Sequence, residues 1–205
     1  MQMSGFTLLE LIVVISILTL IMTASFGALR LGNRSFEAGV DRANQTEQVR
    51  ATADILRRQF AQLVPVVHEV DDELISSFVG DDEQIRFIAP APQSGQAAGL
   101  FVYVITARPI NDMKRLELSY APYDPGRESF DYESVSRRQI LIAPLPDIRF
   151  AYYGATDPDY DAEWHTGWNA EDDAFPRIVR ILLTPADDAS SWPDLSFIIR
   201  AGDRE

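Results

Sequence analysis

From Phe6 to Leu29 the chain reads FTLLELIVVISILTLIMTASFGAL, twenty-four residues with one charged side chain, Glu10. A helix needs about 20 apolar residues to cross a bilayer core, so this run predicts a membrane-spanning helix. A cleaved secretory signal would have a basic start and a shorter apolar core, and MQMSG before the run holds no Lys or Arg. A buried core helix is the duller alternative. Beyond Leu29 the periodicity changes. Val49, Ala53, Leu56, Phe60 and Leu63 recur at offsets of 4, 7, 11 and 14 and lie on one face of a helix, with polar residues between them. Phe36, Val40 and Ala43 form a thinner stripe, and Gly27, Gly32 and Gly39 predict a bend or fraying there. One continuous helix over 6–64 would measure about 88 Å. Its second half is expected to dock on the rest of the chain, with a coiled coil of about two heptads as the competing arrangement.

All twelve prolines lie from Pro65 onward, so the boundary between helix and head falls there. After it the pattern turns to short β-branched and aromatic runs between turn formers. These predict strands at Gln84 to Ile88, Leu100 to Thr106, Arg115 to Tyr120, Gln139 to Ala143, Ile148 to Tyr153, Arg177 to Thr184 and Leu195 to Arg200. Arg115 to Tyr120 alternates as a half-exposed strand, with Glu117 on the polar side, whereas the continuous run Phe101 to Ile105 suits a central one. One long helix followed by strands is an α+β class, with an antiparallel-rich head.

Composition sharpens this picture. The 205 residues carry 18 Lys or Arg against 31 acids, a formal charge of −13. Residues 30–64 hold six Arg and four acids, whereas 65–205 hold twelve basic residues and twenty-six acids, a net −14. A single lysine, Lys114, and no basic tail argue against nucleic acid as a partner. Cysteine is absent, which removes disulfides, thiol nucleophiles and Cys-type zinc sites.

Glu10 is the exception in an otherwise uncharged span, since an ionisable group in lipid costs roughly 2.5 to 3.5 kcal/mol at mid-span and less near the interface. It either snorkels into the headgroups or meets a partner. The string Gly5-Phe6-Thr7-Leu8-Leu9-Glu10 before the apolar run resembles the cleavage and methylation signature of type IV pilins and type II secretion pseudopilins. The resemblance implies a pilin-like fold, cleavage after Gly5 by a prepilin peptidase, N-methylation of Phe6, and a role for Glu10 in aligning a neighbouring subunit's amine during assembly. It also implies 1–5 as leader, 6–29 as inner-membrane helix, 30–64 as the periplasmic half of the helix and 65–205 as a periplasmic head. An ammonium about 4 Å from the carboxylate would attract it by roughly 4 kcal/mol at an effective dielectric near 20. The charge pattern departs from the family. Arg30 and Arg34 follow the span and the leader has no cation, which by the positive-inside rule alone would place the head in the cytoplasm.

In the head, Ile148 to Tyr153, an acidic stretch, Trp164 and Trp168, then Phe175 to Leu183, are similar to the C-terminal pattern of the J-type minor pseudopilin. That likeness implies a tip subunit that helps initiate the filament, beside other minor pseudopilins of the I, K and H types and the major pseudopilin. Ala151 and the insertion Asp157 to Asp161 depart from the pattern. Tyr152, Tyr153, Trp164 and Trp168 are either core packing or an exposed subunit-contact patch.

Enzyme signatures are missing. The two histidines, His68 and His165, fit no metalloprotease motif, and there is neither a phosphate loop nor a nucleophile elbow. The chain is expected to be no enzyme and to need no cofactor and no metal. Asp157 to Glu163 resembles the start of a calcium loop, but Ala162 and Trp168 stand where an EF-hand needs Gly and Glu. Seven acids and no basic residue over 157–173 predict an extended, solvated loop. A minor pilin of a type IV pilus or DNA-uptake filament is the nearest alternative, and a membrane-anchored periplasmic enzyme or ligand-binding protein the more distant one.

Overall fold

The computed structural model describes residues 8–70, 73–91, 98–125, 137–157, 160–169, 175–185, 192 and 194–200. One helix, α1 (Leu8–Ala61), carries the whole N-terminal part, unbroken through Gly27, Gly32 and Gly39. The expected fraying is absent, since each glycine costs only about 1 kcal/mol relative to Ala and no proline interrupts the ladder. The chain divides into two compact units, Met1–Glu47 and Gln48–Glu205. In the first, the described side chains are exposed, and Ser16, Thr19 and Thr23 each return a hydroxyl to the carbonyl four residues back, at 2.8 Å. That bond satisfies a polar group that water would otherwise have to solvate.

The second unit contains eleven strands among the described residues: β1 (Val67–Val70), β2 (Glu73–Ser76), β3 (Phe78–Gly80), β4 (Gln84–Pro90), β5 (Leu100–Ile110), β6 (Met113–Pro122), β7 (Arg137–Leu145), β8 (Asp147–Gly154), β9 (Glu163–His165), β10 (Ile178–Thr184) and β11 (Leu195–Ile198). All seven expected strands form. The fold is α+β and pilin-like, an apolar N-terminal helix followed by antiparallel sheets. β1 and β2 make a hairpin, β3-β4-β5-β6-β7 a five-stranded meander with β5 at its centre, and β11-β10-β8-β9 a four-stranded sheet. Pro144 is tolerated because β7 is an edge strand. Asn111, at φ 52°, supplies the left-handed residue of the tight β5–β6 turn.

The last turns of α1 close this core. Val49, Leu56, Phe60 and Leu63 are buried, with Phe60 seated 4.9 Å from Phe87 of one sheet and 5.2 Å from Phe197 of the other, centroid to centroid. The stripe from Val49 to Leu63 therefore serves the head's interior rather than a coiled-coil seam. Register shifts between β6 and β7 put Leu141 and Ile142 both inside, and the Thr52 hydroxyl donates to the Leu141 carbonyl at 2.9 Å.

Glu117 departs from its expected place on the polar side. It is 3% exposed and ion-pairs with Arg108, Nε to Oε2 at 2.9 Å, and with Arg115. Two guanidiniums, each about a third exposed, carry the compensating charge to the surface.

Candidate functional site

Two regions carry the residues singled out in the sequence. The first is the helix N-terminus. Leu8–Arg34 is long and apolar enough to cross a membrane, and Glu10 stands exposed in the first turn of α1, where the helix dipole favours an anion. Gly5, Phe6 and Thr7 lie outside the described residues.

The second region is the meeting of the two sheets. The turn Asp81 to Glu83 between β3 and β4 is held from several directions. Asp81 Oδ1 accepts the amides of Glu83 and Gln84 at 2.8 and 2.6 Å, the local bonding typical of Asp in a turn. Phe150 N donates to the Asp82 carbonyl at 3.1 Å and Ala107 N to the Glu83 carbonyl at 2.8 Å. Lys114 joins Glu83 (2.9 Å) to Asp147 (3.1 Å), and Arg149 reaches the same Asp147. The hydrogen bond to Glu83 raises the Lys114 ammonium above its ordinary value against partial burial, with Asp147 adding to it. Burial alone would raise the Asp147 carboxyl, but Arg149 and Lys114 outweigh that and hold it below the usual range.

Tyr152 and Trp168 belong to this junction and present no surface. The Tyr152 hydroxyl donates to the Asp81 carbonyl at 2.7 Å, and its ring stands edge-on to Phe78 at 6.0 Å. Burial, with Asp81 and Asp82 nearby, pushes its phenol well above the ordinary range. Trp168 exchanges two backbone bonds with Gly80, at 2.8 and 2.7 Å, which ties β3 to the second sheet. In the described part of the acidic stretch Asp157, Asp161 and Glu163 are exposed, as the charge predicts, but the segment is tied down rather than a free loop. Glu163–His165 pairs with β8, and Trp168 is 1% exposed. Burying a tryptophan of roughly 200 Å² at about 25 cal/mol per Å² contributes up to about 5 kcal/mol, enough to outweigh screened repulsion among exposed carboxylates. Pro158, Asp159 and residues 170–174 of that stretch lie outside the described residues. Among the described residues no group of three His, Asp or Glu is gathered as a metal ion would require. His165 Nε2 lies 3.2 Å from the Gly154 carbonyl and its ring sits edge-on to Trp168.

Tyr153 and Trp164 point the other way. Tyr153 is half-buried and Trp164 is 42% exposed, with ring centroids 5.3 Å apart on the outer face of the four-stranded sheet. Arg180 lies over Trp164, its guanidinium carbon 4.0 Å from the ring centroid. Sequence reasoning did not single out Arg180. Its signal, an arginine on the polar face of an alternating strand, is too common to distinguish it.

Residues 1–26 match the prokaryotic N-terminal methylation motif. The whole chain is similar to type II secretion system protein J of Xanthomonas campestris pv. campestris, 24% identical over 200 residues that span 93% of this chain and 90% of the relative. Over most of its length the chain resembles a J-type pseudopilin. Its likeness to that relative runs through helix and head alike, whereas the methylation motif is confined to the N-terminal unit. The relative is named as a secretion-system protein rather than as an enzyme. Among the described residues one N-terminal helix is long and apolar enough to cross a membrane, which fits single-pass anchoring.

Proposed function

We propose that the protein is a minor pseudopilin of a type II secretion pseudopilus, a structural tip subunit that helps initiate the filament and catalyses no reaction. The observation that carries this reading is the similarity to a type II secretion J protein over 93% of the chain, joined to a methylation motif at its start. In this account residues 1–5 are a leader removed by a prepilin peptidase after Gly5, and Phe6 becomes the N-methylated N-terminus. Residues 6–29 span the inner membrane, 30–64 continue the helix, and 65–205 form the periplasmic head. The subunit then assembles with minor pseudopilins of the I, K and H types and with the major pseudopilin.

Glu10 supplies the assembly chemistry. A carboxylate within the apolar helix is stabilised when a neighbouring subunit brings an amine to it, by roughly 4 kcal/mol at about 4 Å and an effective dielectric near 20. Lone subunits gain nothing from it, so the pair favours the assembled state. Glu10→Ala is expected to leave the protein in the membrane fraction and to reduce its recovery in sheared filaments. Wild-type incorporation of the variant would refute the pairing mechanism.

A further inference from the structure

The outer face of the four-stranded sheet is built unlike the rest of the head. Cross-strand register aligns Ile198 with Ile178, Ile178 with Tyr153, and Tyr153 with Trp164. One apolar and aromatic row therefore crosses all four strands, about 14 Å at roughly 4.8 Å per strand. Its two ends are open, Ile198 at 69% and Trp164 at 42% exposure, and Leu182 adds an exposed aliphatic group on the same face. The opposite faces of these strands, from Ile148 to Phe197, are buried in the core, so the row is no part of the head's own interior.

The charge here also runs against that of the molecule. Arg180 crosses toward Trp164 above Ala151, its small cross-strand partner, and its Nε is buried without an acceptor. Arg177 and Arg200 are exposed beside the Ile198 end, where Ile199 N donates to the Arg177 carbonyl at 2.9 Å. Among the described residues none of these three arginines has a carboxylate partner. Residues 65–205 have a net charge of −14, so three cations without a carboxylate partner among the described residues, gathered around one apolar row, are a local reversal of sign. Such a face attracts carboxylates and repels its own kind.

We infer that this face docks a different polypeptide, through a surface on which carboxylates flank aliphatic side chains. The inference rests on the reading of the protein as a filament subunit and adds to it a surface and the chemistry of its partner. A second copy fits poorly. Two-fold pairing would set Arg180 against Arg180, and head-to-tail contact between identical chains, unless its rotation closes a ring, would run on as an open array. The Trp164 and Tyr153 rings, tilted against each other at 5.3 Å, supply an apolar anchor, and the half-buried Arg180 guanidinium beside them supplies the cation for a carboxylate.

A photo-crosslinking amino acid at Ile198 of the full-length chain, in cells that assemble the filament, tests this directly. The same probe at Ile140, 54% exposed on β7, is the control. The expected adduct at Ile198 joins a different polypeptide, at a peptide containing carboxylates. Arg180→Glu should lower its yield at least fivefold, Arg180→Lys much less, and reversing the partner carboxylate to Arg should restore it. The thermal transition of the Arg180→Glu chain shows whether the head is folded; if it is not, the same comparison made with Arg200→Glu decides. An adduct to a second copy or to lipid, no adduct, or a yield indifferent to the charge reversal would overturn the inference. The subunit reading fails separately, if the mature chain does not begin at Phe6.

Discussion

Gly80→Ala attacks the point where the two sheets are joined. A Cβ at this position overlaps the Tyr152 hydroxyl and lies 2.5 Å from Cζ and 2.8 Å from Cε1 of the ring. Neither partner is free to yield. The ring is fully buried, edge-on to Phe78 and tied through its hydroxyl to the Asp81 carbonyl, while Gly80 is held by two backbone bonds to Trp168. Overpacking of this kind costs about 1 to 3 kcal/mol, and the displaced hydroxyl forfeits a further 0.5 to 1.5, roughly. The sum, about 1.5 to 4.5 kcal/mol, lowers the melting temperature of a unit this size by about 3 to 18 °C. Trp164, Trp168 and Trp192 all lie in the head, so tryptophan fluorescence of the detergent-solubilised full chain follows its unfolding. Gly27→Ala, with nothing within 4 Å of the new Cβ, is the neutral control. A Gly80→Ala shift of under about 2 °C would refute the packing argument.

Three further outcomes follow from the core and the ion pairs. Phe60→Ala removes the ring shared by the two sheets and should cost about 3 to 5 kcal/mol in urea unfolding, against less than 1 for a surface change such as Arg50→Ala. Glu117→Gln leaves two guanidiniums without their shared carboxylate. Because both are part exposed and can rehydrate, a loss of about 1.5 to 3 kcal/mol is expected, and a neutral or stabilising result would contradict the assignment. The Asp147 carboxyl is held below its ordinary 3.8, so its contribution is present above that value and is lost as pH falls through the folded one. Wild type should therefore exceed Asp147→Asn in stability at a pH of about 5, and that margin should shrink in acid below 3.8. A margin constant with pH would sink the linkage. For Lys114, raised above 10.5, the contribution is present below that value and lost only as pH rises through the higher folded one.

Much of this architecture is legible in the chain. The absence of proline before Pro65 and the spacing of Val49, Leu56, Phe60 and Leu63 foretell both the helix and the face that it buries. The strands that escaped reading are short. β1 and β2 have four residues, β3 and β9 three, and a run of that length carries too few alternations to stand out. Glu117 escaped because its burial depends on Arg108, nine residues away across a hairpin. Tyr153 and Trp164 were visible as aromatics, but their separation from Tyr152 and Trp168 is a matter of strand parity and of the Gly80–Trp168 bridge. The row from Ile198 to Trp164 is set wholly by cross-strand register between residues eleven to twenty-five positions apart, which local pattern does not encode.

The filament account depends most directly on the chemistry of the mature N-terminus. Intact-mass and N-terminal peptide analysis of the chain extracted from membranes should find it starting at Phe6 and carrying one methyl group on its amine. A chain that retains Met1, or one trimmed far beyond Phe6, would leave the helix a simple anchor and would contradict the account.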